Sequence, residues 1–273
     1  MWKLIKMDFY RLFTGKSIKV GAIIAFLICL GGMLASFGIV ELCKFAVDQN
    51  MESIMGLSLF ITQVEWAFGV DFADIVLTGT GAFSLFIGCM ISASFIGSEQ
   101  SCGFTKNFAG QLPNKGYMAI SKFIVTSAAQ FLILFIYTAV SSVCAAFLFG
   151  KYITGYEIGG LMLALGLRVL LYFAVNAIIV FLCTLTKSHA VAMVAGCIFG
   201  SGITKFAYLI AGMVLSTMKI DLTISDYMPD GINSLLSMAT LDDLAVKGLV
   251  VAVVFITVFL GANYLVVRKR DVR

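Results

Sequence analysis

SEQSCGFTKNFAGQLPNKGYMAISK, residues 98–122, is a polar interruption in an otherwise apolar chain. It carries Glu99, Lys106, Lys115 and Lys122, together with Pro113 and three glycines. That combination does not belong in a membrane-crossing helix. The runs on either side, Ile75–Gly97 and Tyr117–Phe149, hold no charge beyond Lys122. Each is long enough to cross a bilayer, which takes about 20 apolar residues. The stretch is therefore a loop between two spans.

Working outward, four further runs meet the same length and composition test: Ile18–Ile39, Ile158–Leu185, Ala190–Leu215 and Gly248–Val267. Both prolines, Pro113 and Pro229, fall outside the six runs. Over the whole chain 60% of residues are hydrophobic and only 12% charged, about half the charge of a soluble domain. The fold class is all-α: a polytopic membrane protein with six transmembrane helices. No polar block is long enough for a separate soluble domain.

The charges set the orientation. With both termini inside, 13 of the 19 basic residues lie on the inner side and only Lys44, Lys151, Lys219 and Lys247 outside. Short cytoplasmic loops are enriched in Lys and Arg, so both termini and the 98–116 loop are assigned to the cytoplasm. Residues 1–16 form an amphipathic interfacial helix, with Trp2, Ile5, Phe9, Leu12 and Phe13 on one face and Lys3, Lys6, Asp8 and Arg11 off it. Residues 17–273 form the membrane domain.

Several chemistries have no residues to support them. The seven cysteines form no CxxC pair, and there is a single histidine, so neither a metal site nor a disulfide framework is implied. No G-x-x-x-x-G-K-[ST] phosphate loop, G-x-S-x-G elbow or H-E-x-x-H motif occurs. The chain is not expected to be an intramembrane enzyme.

Glu99, then Gly103-Phe104-Thr105-Lys106-Asn107, then Pro113-Asn114-Lys115 and Ser121-Lys122 lead into the third span. This pattern resembles the loop after the second span in ATP-binding-cassette export permeases of the type 2 class. The amphipathic start, six spans and interior termini are similar to that family as well. The resemblance implies a dimeric permease, paired with itself or a sister chain, in a bacterial plasma membrane. It also implies two copies of a separate ATPase subunit that binds ATP and Mg, with no cofactor on this chain. The loop would dock into that subunit. The contact residues would be Glu99, Gly103, Phe104, Lys106, Asn107 and Phe108, with Lys187 in the short Thr184–His189 turn as a second contact. Phe104 and Phe108 stand four apart, on one face of a helix.

Two cations fall inside spans. Arg168 sits near mid-depth of the fourth, and Lys205 about ten residues from the outer end of the fifth. A lipid-facing charge at mid-bilayer costs about 2.5–3.5 kcal/mol, so each faces protein, a partner or a cavity. Both are candidates for lining a substrate path, and Asn176 is a weaker one. The other readings are pairing with Glu65, Asp71 or Asp74, outward snorkelling of Lys205, and helix joining by Asn176. The expected function is ATP-driven export of a hydrophobic or amphipathic cargo such as a peptide, lipid or drug, as in antimicrobial resistance. The alternative is a secondary transporter or channel. Gly196 and Gly200 form a small-xxx-small face suited to close helix packing, as at a dimer interface.

Overall fold

The computed structural model describes residues 2–48, 71–101, 115–151, 153, 155–186, 188–217 and 223–269. These form helices α1 (Trp2–Thr14), α2 (Lys16–Asp48), α3 (Phe72–Gly79), α4 (Ala82–Ser101) and α5 (Tyr117–Leu148). They continue as α6 (Ile158–Thr186), α7 (His189–Ser201), α8 (Thr204–Thr217), a 3-10 turn at Ile224–Tyr227, α9 (Pro229–Leu235) and α10 (Leu241–Lys269). Helix is the economical solution in a bilayer because it satisfies every backbone group within its own segment. Among the described residues, five spans are long and apolar enough to cross a membrane, and α7 with α8 makes a sixth if that bent pair is one span. The chain is thus an all-α, multi-pass membrane protein.

The α3–α4 span and α6 are the most buried, and α2, α5, α7 and α10 pack around them. Exposed apolar side chains on α2 (Val20, Ile23, Leu27) and α10 (Val246, Val250, Val254) mark surfaces suited to lipid.

Two spans depart from the continuous helices expected. The second is interrupted at Thr80–Gly81, with no proline to mark it. There the side chain of Ser84 donates to the carbonyls of Thr80 (2.6 Å) and Gly81 (2.9 Å). Such side-chain bonds offer the backbone an alternative to the helical ladder. The run expected as the fifth span is the helix pair α7 and α8, bent by 72° between Ser201 and Thr204. Gly202 sits at the corner with φ of 75°, a left-handed conformation that closes a helix at little cost for glycine.

The face formed by Gly196 and Gly200 packs within the chain, against α4. A Cβ at Gly200 would stand 2.4 Å from the Cα of Phe86, and one at Gly196 3.2 Å from the Cβ of Cys89.

Helix α1 is rotated from the face expected. Its packed side is Leu4, Ile5, Asp8 and Leu12, while Trp2 and Phe13 stay exposed. Half of the apolar stripe therefore meets protein. The other half is left open on the side where an interfacial helix would meet lipid. Rotation carries Asp8 and Arg11 toward the bundle, and their partners there explain it.

Candidate functional site

Four charged side chains meet at the inner end of the bundle, the end that the charge bias assigns to the cytoplasm. Glu99 lies in the last turn of α4, only 1% exposed. Its two carboxylate oxygens accept from different helices: Arg11 Nη1 of α1 at 2.7 Å and Lys122 Nζ of α5 at 2.6 Å. Asp8, one turn before Arg11, accepts from the Ser121 hydroxyl at 2.6 Å and lies 4.0 Å from Arg11 Nη1. The Arg11 guanidinium also sits 5.8 Å from the ring centre of Phe95, one turn before Glu99. Burial pushes the Asp8 carboxyl above its usual range, opposed in part by the Ser121 hydrogen bond.

The helices explain the convergence. Residues at i and i+3 share a helix face, which brings Asp8 and Arg11 to the same side of α1. The α4 helix runs on through Ser101, so Glu99 lies on regular structure and not in the loop. Ser121 and Lys122 lie early in α5. The cluster therefore ties both flanks of segment 102–114 to each other and to α1. Two carboxylates and two cations balance in a place largely closed to water. Each ion is hydrogen-bonded, which is what a buried charge requires.

Of the expected coupling residues, Glu99 belongs to this cluster and faces inward. Gly103, Phe104, Lys106, Asn107, Phe108 and Lys187 lie outside the described residues.

Arg168 is 2% exposed and reaches the interruption of the second span. Its Nη1 donates to the Leu77 carbonyl at 2.6 Å and to the Thr80 hydroxyl. The Tyr172 hydroxyl, one turn along α6, lies 2.6 Å from that of Ser84, 3.1 Å from the Thr80 carbonyl and 3.0 Å from that of Gly81. The carbonyls released by the break are thus met by side chains of α6. The guanidinium faces the negative end of α3, and no carboxylate among the described residues lies within salt-bridge distance of it. Asp74 instead accepts from the Met238 amide at 2.9 Å, on the outer side.

Asn176 donates to Thr126 and Ser127 of α5, each at 2.9 Å, and so joins two spans. Thr184 and Asn263 join α6 to α10 at 2.6 Å. Lys205 lies apart from all of these, exposed in the first turn of α8 beside the bend.

The structure thus places Glu99 in an inner cluster, Arg168 at a mid-span interruption, Asn176 at an α5–α6 junction and Lys205 at a bend. Asp8, Arg11, Ser121, Lys122, Thr80 and Tyr172 were not among the site residues expected from sequence. One signal was available: Asp8 is the sole acid of an otherwise basic α1. No protein-family model and no curated protein sequence matches this chain.

Proposed function

We propose that the chain is the membrane-spanning permease subunit of an ATP-driven exporter in a bacterial plasma membrane. It works as one of two permease chains with two copies of a separate ATPase subunit, and moves a hydrophobic or amphipathic cargo outward. ATP and Mg belong to the ATPase, because this sequence has no phosphate loop. The supporting observation is the buried Asp8–Arg11–Glu99–Lys122 cluster. A partner pressing on the 98–116 loop would act on α4 and α5 through this cluster, not on a slack connector. From α4 the displacement passes to the interruption at Thr80–Gly81 and to α6 through Arg168. Such a chain of packed, bonded elements is the physical means by which an inner event alters outer packing.

The interrupted spans also suit a secondary transporter, whose discontinuous helices bind substrate and coupling ion near mid-depth. Against that reading, the carbonyls of Thr80 and Gly81 are occupied by Tyr172 and Ser84, and that of Leu77 by Arg168.

Co-purification with the products of neighbouring genes separates the two readings. An ATPase that is recovered with the chain, and whose activity falls with Phe104→Ala or Lys106→Ala, supports export. Recovery of no ATPase, or one indifferent to both changes, defeats it.

A further inference from the structure

A pocket of about 540 Å³ opens beside the bend of the fifth span, between α8, the Ile224–Tyr227 turn and α9. That volume falls in the range of about 300–1,000 Å³ typical of small-molecule sites. Its walls are apolar on several sides, with Leu209, Ile224 and Leu235, and Lys205 stands among them. The hydroxyl protons around it are spoken for. Tyr208 donates to Asp230 at 2.8 Å, Ser216 to the Met213 carbonyl and Ser234 to the Gly231 carbonyl, while Thr223 and Ser225 both donate to Asp226. Both nearby carboxylates are thereby engaged. No carboxylate among the described residues lies within salt-bridge distance of Lys205. Among the described residues that line the pocket, its ammonium is the cation placed to recognise a guest, and it adjoins the positive N-terminal end of the 14-residue α8.

The depth of the pocket specifies the rest of the guest. Helix α7 has 13 residues and rises about 20 Å from its inner end. The bend therefore falls in the outer half of a hydrocarbon core about 30 Å thick. Helix α8 then carries exposed Phe206, Ile210 and Met213, which extend the apolar surface away from the pocket.

We infer that this pocket binds an amphiphile from the outer leaflet, its anionic head on Lys205 and its apolar tail along Leu209 and Leu235. Recognition needs no nucleotide, so this site stands or falls apart from the export reading.

The test uses the full chain in nanodiscs of phosphatidylcholine, with pyrene-labelled dodecanoic acid as the probe and the matching alcohol as control. Saturable binding of the acid is expected. Lys205→Gln weakens it about tenfold, as loss of one charge-assisted bond does, while Lys205→Arg retains it and alcohol binding is the same in all three. Gly212 lines the pocket and an added Cβ there meets nothing within 4 Å, so Gly212→Phe is expected to occupy the space and abolish binding. Equal binding to wild type and Lys205→Gln, or full binding to Gly212→Phe, overturns the site. Repeating the titration in phosphatidylglycerol nanodiscs separates two sources of the same chemistry. Loss of probe binding there assigns the site to a lipid headgroup, and its retention assigns it to a free fatty acid.

Discussion

Replacing Glu99 with glutamine leaves Arg11 and Lys122 facing a neutral amide in a place with little water. Removing one partner of a buried ion pair costs about 3–5 kcal/mol, most of it from the charge left behind. Glu99→Gln is expected to lose about 3 kcal/mol in denaturant unfolding of the detergent-solubilised chain. Adding Lys122→Met, which removes the stranded cation at similar length, recovers part of that loss. No recovery would mean that Glu99 acts through something other than this pair. The sequence singles out Glu99 but assigns it to a partner. A polar residue beside a loop reads as loop, and only the continuation of α4 through Ser101 turns it inward. Arg168 is a similar case. Its cost in a span is evident from sequence, but its acceptors, Leu77 and Thr80, are 91 and 88 residues away, one of them a backbone carbonyl that no residue type announces.

At the scale of helices, the α4–α7 contact rests on a missing side chain. Gly200→Ala would place a methyl 2.4 Å from the Phe86 backbone, which cannot rotate aside. It is expected to cost about 1–3 kcal/mol, as overpacking does. Gly212→Ala, in the same span but in open space, stays within about 1 kcal/mol and on the stabilising side, because alanine favours helix. Thermal unfolding of the two variants in one detergent checks the contrast. Equal effects would show that the close approach does not carry the contact. The small-residue spacing was legible as a packing face, whereas its partner was not, since Phe86 and Cys89 carry no complementary mark. The two helix breaks were hidden for a related reason. A run of apolar residues looks the same whether its helix is straight, interrupted or bent, and neither Gly81 nor Gly202 is unusual among 26 glycines.

For the whole molecule, hydropathy and the basic bias carry the reading of fold and orientation. Length and composition locate most of the spans to within a few residues because the bilayer imposes both, while the last begins at Leu241, well before the expected Gly248. Orientation has a direct check. In a background lacking Cys43 and Cys102, Lys151→Cys and Lys269→Cys each place a thiol at an exposed position on opposite sides. A membrane-impermeant reagent is expected to label the first and spare the second in intact cells. Removing the half-buried Cys197 as well keeps background low, because Cys29, Cys89, Cys144 and Cys183 are buried. The reverse pattern would invert every inside and outside used above.

Ionic strength acts differently on the two parts of the inner surface. Salt at physiological concentration screens exposed charges beyond about 8 Å, so the partner contact proposed for residues 102–114 is expected to weaken as salt rises. The anchorage beneath it is another matter. Glu99 and Lys122 are closed off from the counterions that would compete for them. Rising salt therefore weakens what the loop can attract long before it loosens what holds the loop.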